Sequence, residues 1–397
     1  MASIKKTLLI TLQGKYDPQV LQDFCSTLSH FPVQILEAHQ MESVQQLLAM
    51  LSLHVLDSDS QAQLIAALHD LASKKGLQIL LTETSPSDPP VPKNSYVLTL
   101  LSNALSSKSL EELLNYLQEK QLQLVGIKTL DSRKIHVLEL KIRSEKVLKR
   151  QEFISDLIGL QEQHHVDFAL QPDNLFRRNK RLIFFDADMT FVQCEVVNEL
   201  SKLSGNEKAV EAITHRAMHG ELNFEESLKE RVAMLKGISI NDVERVILNM
   251  PYTPGVGNLV KTLKLLGYKV GIVSGGFSVV IDHIKEHFGL DYGFGNTLEV
   301  KDGLLTGRVL GKVIDGSQKA VLLTQVAEKE QISLEQVIAV GDGANDLNML
   351  SCAGLGIAFN AKRFLQERTS GNLSQANLDA ILYFLGISRE EIDSLKV

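Results

Sequence analysis

Cysteine is scarce in this chain. There are three in 397 residues, Cys25, Cys194 and Cys352, far apart and in no CxxC pairing. That excludes a disulfide framework and fits buried or spare thiols in a reducing compartment, so a cytoplasmic location is expected. Positive charge is also short. Lys and Arg number 41 against 48 Asp and Glu, a net charge of -7. A general nucleic-acid binder needs a positive field, so no nucleic-acid partner is expected. The one dense basic run, Arg177-Arg178-Asn179-Lys180-Arg181, stands just before an apolar strand and reads as a solvated linker. No apolar run is long enough to span a bilayer. The opening Met-Ala-Ser-Ile-Lys-Lys lacks the apolar block and cleavage site of a secretory signal. No membrane partner is expected.

Proline is rare, nine in all, and four fall together at Pro86, Pro89, Pro90 and Pro92. Such a segment continues neither a helix nor a central strand and reads as a linker. A second polar stretch covers 171–180. The chain therefore divides into 1–85, 95–171 and 181–397.

The first two pieces share a pattern. Piece one has strands at 7–12, 33–37, 47–55 and 77–81, with helices at 18–30 and 60–75. Piece two has strands at 96–101, 122–127, 135–140 and 166–170. Its helices run from a capping box at Ser109-Leu110-Glu111-Glu112 and over 145–163. Each reads β-α-β-β-α-β, a split-βαβ unit repeated after roughly 90 residues. From Arg181 onward, short apolar strands at 182–185, 270–273, 337–340 and 356–359 alternate with helices, the signature of a parallel α/β sheet. About 85 residues of helical periodicity separate the first two strands, too many for a plain crossover, and read as a helical cap at about 195–262.

Three of those strands end in polar turns. Leu182–Phe185 runs into Asp186-Ala187-Asp188-Met189-Thr190, Val270–Val273 into Ser274-Gly275-Gly276, and Val337–Val340 into Gly341-Asp342-Gly343-Ala344-Asn345-Asp346. In a parallel sheet these ends share one edge, where open α/β folds bind ligands. Gathered carboxylates repel one another and rise in pKa unless a cation is present. Oxygen donors alone favour magnesium over zinc. Glycines let backbone amides approach an anion. Cation, amides and a hydroxyl together make a phosphate site, where one carboxylate can attack phosphorus and a second can act as acid and base.

Asp186-x-Asp188-x-Thr190, Ser274 at a strand end, Lys319 and Gly341-Asp342-Gly343-x-Asn345-Asp346 resemble the four motifs of the haloacid-dehalogenase superfamily, over about residues 181–370. The resemblance implies a Rossmann-like parallel sheet with a helical cap. It implies Asp186 as nucleophile and Asp188 as acid/base, with Mg2+ on Asp186, Asp342 and the Asp188 backbone carbonyl, and Asp346 behind them. It implies Ser274, Gly275, Lys319 and Asn345 around the phosphoryl group. Within the superfamily the chain is most similar to the branch that hydrolyses O-phospho-L-serine in the last step of L-serine biosynthesis. That resemblance implies Glu195 against the substrate ammonium, Arg231 against its carboxylate, and Met218 and Phe224 shielding the site. Two positions depart from the branch: Met189 where Ser is common and Asn198 where Asp is common. Other readings are phosphoryl transfer to another alcohol, another small phosphomonoester, or an amino-acid sensor with an inactive phosphatase domain.

The front pieces are similar to ACT-type (ferredoxin-like α+β) domains, which pair side by side; this implies a homodimer. Piece one has Gly14 after its first strand; piece two has Ser102-Asn103-Ala104-Leu105 and no glycine, which argues against effector binding. The i, i+4 pairs His215/His219 and His283/His287 lie on helix faces without a HExxH pattern and read as surface.

Overall fold

The computed structural model describes residues 7–43, 45–57, 59–84, 94–133, 135–374 and 377–395. The proline cluster lies outside them. Two compact units result, Met1–Val91 and Pro92–Val397.

The first unit contains β1 (Thr7–Lys15), α1 (Val20–Leu28), β2 (Val33–Ser43), β3 (Gln46–Val55), α2 (Gln61–Lys75) and β4 (Gln78–Thr84). The sheet order is β2-β3-β1-β4. Alternation decides which face is covered. Leu8, Ile10 and Leu12 of β1 and Leu47, Ala49, Leu51 and Leu53 of β3 turn to one side. There they meet Phe24 of α1 and Leu64 and Leu68 of α2.

The second unit opens with the same topology: β5 (Asn94–Ser102), α3 (Ser107–Glu119), β6 (Gln123–Asp131), β7 (His136–Ser144), α4 (Arg150–His164) and β8 (Asp167–Pro172), in the order β6-β7-β5-β8. It does not close on itself. β8 pairs antiparallel with β15 (Gly371–Leu373) and so joins a sheet of eleven strands. Its far face, with Leu101, Leu130 and Val137, packs into the core that follows.

That core begins at β9 (Leu182–Phe185). Helices α5 (Val196–Leu203), α6 (Glu207–Met218), α7 (Phe224–Ala233) and α8 (Ile240–Leu248) come next, then α9 (Val256–Leu265) and β10 (Lys269–Phe277). After them come α10 (Ser278–Phe288), β11 (Tyr292–Lys301), β12 (Leu304–Leu310), α11 (Gly316–Lys329), β13 (Val337–Gly341), α12 (Leu347–Cys352) and β14 (Leu355–Phe359). Helices α13 (Arg363–Gln366), α14 (Ile381–Phe384) and α15 (Arg389–Ser394) complete the chain around β15. β11-β10-β9-β13-β14-β15 are parallel neighbours. All four residues of β9 are buried: Ile183 and Phe185 face one apolar layer, Leu182 and Phe184 the other. Such a strand reads as a continuous apolar run because both faces are covered.

Three features differ from the sequence expectation. The stretch 171–180 is no solvated linker. The Gln171 amide donates to the Phe384 carbonyl (2.7 Å), Lys180 Nζ donates to the Glu335 carbonyl (2.5 Å), and buried Arg177 pairs with Glu139 of β7. Polar side chains mark this segment because they satisfy buried partners where the antiparallel and parallel parts of the sheet join. Second, β10 continues past Val273 to Phe277. Third, the hairpin β11–β12 was not foreseen. Its two-residue turn, Asp302-Gly303, has φ of 52° and 77°, the mirror-image turn that Asp-Gly favours between strands. The hairpin holds the cap. Gly237 N donates to the Leu305 carbonyl (2.8 Å), Leu305 N to Ile238 (2.8 Å), and Ile240 N to Gly303 (2.9 Å).

Arg177→Ala leaves the largely buried Glu139 carboxylate without its partner. It should destabilise the chain by about 3 kcal/mol, read as a lower urea midpoint by circular dichroism. An unchanged midpoint would show that the pair is not structural.

Candidate active site

β9 lies between β10 and β13, so their carboxyl ends converge. Asp186 sits at the end of β9, and its N–H donates across to the Val340 carbonyl of β13 (2.9 Å). One side-chain oxygen accepts from Lys319 Nζ at 2.7 Å; the same ammonium donates to Asp346 Oδ1 at 2.7 Å. Lys319 is 1% exposed. Helix α11 delivers it: Asp315 caps the helix by accepting from Gln318 N (2.8 Å), and Lys319 stands in the first turn beyond. A buried ammonium is costly unless charged partners face it, and here two do.

The turn after β13 is built around Asp346. A Cβ at Gly341 would lie 2.5 Å from the Asp346 carboxyl carbon, so only glycine lets that side chain fold back. Its other oxygen accepts from Gly343 N (3.1 Å). Side-chain oxygens of Asp186, Asp342 and Asp346 lie within 4.8 Å of one another, a cluster that could hold a metal ion. All donors are oxygens, which suits a hard divalent cation. Asn345 is exposed beside this turn.

Asp188 begins an irregular turn. Its Oδ1 accepts from Val196 N, the first residue of the cap (3.1 Å). Met189 follows with φ of 57°. Thr190 donates to Asp342 (3.3 Å), and its carbonyl accepts from buried Thr253 (2.7 Å). Ser274 is buried, its hydroxyl oxygen accepting from Gly276 N (2.8 Å). A Cβ at Gly276 would lie 3.0 Å from that hydroxyl and 3.1 Å from Asp188 Oδ2, so loop and carboxylate face each other closely.

The cap residues gather over this loop. A capping box of Asn223 and Glu226 starts α7, and the Phe224 ring would lie 2.5 Å from a Cβ at Gly275. Arg231, two turns on, shares that helix side. Its Nε is buried without a partner. Burial lowers the Arg231 pKa against the pull of Glu195 and then Asp188. Glu195 is exposed at the start of α5. The side chain of Met218, at the end of α6, falls outside the described residues. Thus Asp186, Asp188, Ser274, Gly275, Lys319, Asp342 and Asp346 come together, with Phe224, Arg231 and Glu195 beside them. The sequence reading missed Thr253 and Asn296, whose Nδ2 donates to the Gly275 carbonyl at 2.8 Å. Asn296 stands in a strand that also carries Thr297, Glu299 and Lys301, so nothing in the sequence singles it out.

Charge is unbalanced here. Burial, then the Asp346 charge, holds Asp186 well above the ordinary carboxylate range. Burial, then Glu195, pushes Asp188 up to about 7. Burial, then Asp346, pushes Asp342 up to about 6. Burial alone would lower Lys319, but Asp186 and Asp346 outweigh it and raise its pKa.

This sheet, cap and acidic edge define a haloacid dehalogenase-like hydrolase: residues 183–351 match that family's model, and residues 6–82 match the ACT domain. The phosphoserine phosphatase of Streptomyces coelicolor is 34% identical over 389 residues, 98% of this chain and 94% of that protein. That of Archaeoglobus fulgidus is 46% identical over 245 residues, 62% of this chain and 70% of that one. A HAD family hydrolase structure from Salmonella enterica serovar Typhi aligns with a TM-score of 0.64 and 30% identity, over 73% of this chain and 98% of its own. The chain belongs to the phosphoserine phosphatase family.

The raised carboxylates make cation binding proton-linked. Below about pH 6, a bound cation must displace the Asp342 proton; above that value it need not. Affinity for a divalent cation, measured by calorimetry, should therefore climb as the pH rises through about 6. Affinity that is flat with pH would contradict this.

Proposed function

We propose that this chain hydrolyses O-phospho-L-serine to L-serine and phosphate through an aspartyl phosphate on Asp186, with Mg2+ as cofactor. The observation that carries this reading is the buried Lys319, shared between Asp186 and Asp346 opposite the Ser274 loop. It holds one carboxylate at a strand end in a place where an anion could meet both an ammonium and backbone amides. Asp186 and Asp342 have side-chain oxygens in the acidic cluster, with Asp346 anchored behind by Lys319 and Gly343. With the Asp188 backbone carbonyl, these residues would hold Mg2+. When bound, the ion supplies positive charge that offsets the phosphoryl oxygens and the attacking carboxylate.

Two steps follow. An Asp186 oxygen attacks phosphorus, the bond from phosphorus to the serine oxygen breaks, and Asp188 gives that oxygen its proton. The Asp188 carboxylate then takes a proton from water, whose oxygen attacks phosphorus. The bond to Asp186 breaks, phosphate leaves, and both aspartates are restored. A carboxyl pushed up to about 7 is suited to giving and taking a proton near neutral pH. The Ser274 hydroxyl, the Gly275 amide, Lys319 and Asn345 hold the phosphoryl oxygens.

Arg231 sets the substrate. Its unpartnered, buried Nε suits a carboxylate arriving with the ligand, since leaving such a donor unmatched is costly. Glu195 meets the substrate ammonium. Phe224, against Gly275, and Met218 exclude water from the first step. The ACT-like units join two copies of the chain; Ile35, Met41, Met50 and Leu80 of the first unit, all exposed apolar side chains, support such a pairing. The three free thiols suit the reducing cytoplasm.

Asp186→Asn should abolish phosphate release. Arg231→Ala should raise KM for phosphoserine ten- to hundredfold, roughly what a lost charged hydrogen bond of about 1.5–3 kcal/mol gives, while phosphoethanolamine, which lacks the carboxylate, is affected little. Equal losses on both esters would overturn the assignment of Arg231.

A further inference from the structure

The loop that faces the phosphoryl group is an interruption in a strand. β10 and β11 pair in parallel as Val273↔Phe294 and next as Phe277↔Asn296. Ser274, Gly275 and Gly276 thus stand opposite a single residue, Gly295, and lose their ladder partners. A Cβ at Gly295 would lie 2.8 Å from Ser278 N, which shows how closely β11 approaches there. A buried carbonyl freed from its ladder needs another donor. Asn296, 2% exposed, provides one: its Nδ2 donates to the Gly275 carbonyl at 2.8 Å. Its Oδ1 accepts from Ile314 N, also at 2.8 Å.

Both ends of this amide bear on the site. The Gly275 carbonyl and the Gly276 N–H belong to one peptide unit, and in a trans peptide they point in opposite directions. Fixing the carbonyl on Asn296 therefore turns the Gly276 N–H toward the Ser274 hydroxyl, 2.8 Å away, on the side where Asp188 stands. Ile314 immediately precedes Asp315, the cap of the helix that delivers Lys319. One buried side chain ties the amide loop to the lysine helix.

We propose that Asn296 is a positioning residue for phosphoryl transfer: it sets the Gly275–Gly276 peptide and the start of α11 in register, so that the Ser274 hydroxyl, held by the Gly276 N–H, and Lys319 meet the same phosphoryl group. This rests on the phosphatase reading given above. Asp and Asn match in shape, but a carboxylate accepts and does not donate, so Asn296→Asp sets an anion against the Gly275 carbonyl and favours the turned peptide. The turned peptide takes the Gly276 N–H off the Ser274 hydroxyl, and loss of one aligned donor in such a site costs on the order of a hundredfold.

The test compares wild type with Asn296→Asp, and with Asn296→Ser should the first not fold, each in magnesium and with folding checked by circular dichroism. Turnover of phosphoserine and phosphoethanolamine should fall by the same factor, about ten- to hundredfold and mainly in kcat. Inhibition by inorganic phosphate should weaken in step, and the preference between the two esters, which Arg231 sets, should stay as in wild type. A folded variant with wild-type kcat and wild-type phosphate inhibition would overturn the proposal, as would a loss confined to phosphoserine. If wild type does not hydrolyse phosphoserine, the substrate reading falls, yet the comparison of phosphate affinities still decides the role of Asn296.

Discussion

The site depends on one buried ammonium. Lys319 is enclosed, and its two hydrogen bonds, to Asp186 and Asp346, are its charge compensation. Removing the lysine would leave Asp186 and Asp346 facing each other without a cation in a low-dielectric interior, which is costly by several kcal/mol. The neighbouring glycines follow from this. Gly341 lets Asp346 fold back to the lysine, and Gly316 lets α11 start against the Asn345 carbonyl, 2.5 Å from where its Cβ would stand. One cation does not balance Asp186, Asp188, Asp342 and Asp346 together, and burial raises the first three. The interior is arranged for a further positive charge.

Cap and core meet on the same few atoms. Phe224 rests on Gly275, Asp188 accepts from Val196 at the start of the cap, and the loop after α7 bonds to β12. The helical cap is thereby attached to the Ser274 loop and to Asp188 at the end of β9. The second α+β unit is joined to the same sheet through β8 and β15, so its strands continue the catalytic sheet.

Much of this was legible in the sequence because the chemistry forces short patterns. Asp-x-Asp and Gly-Asp-Gly at the ends of neighbouring parallel strands bring carboxylates to one edge of the sheet, and those patterns survive in one dimension. The βαββαβ order of the front units shows in strand and helix periodicity for the same reason. What was not legible depends on contacts distant in the chain. Arg177 and Lys180 look like a wet basic run until Glu139 and the Glu335 carbonyl close on them. The Asp302-Gly303 turn was readable as a hairpin signal, but β12 is half-exposed and its apolar pattern is weak. Asn296 is a single polar residue whose partners lie 21 and 18 positions away.

The central claim is that Asp186, and no other carboxylate, carries the phosphoryl group between the two steps. The direct measurement is to quench the chain in acid during turnover of phosphoserine, reduce with borohydride, and map the digest by mass spectrometry. An aspartyl phosphate is reduced to homoserine, so the account predicts homoserine at position 186. Homoserine at 188, 342 or 346 would contradict it, as would unmodified aspartate at every position during active turnover.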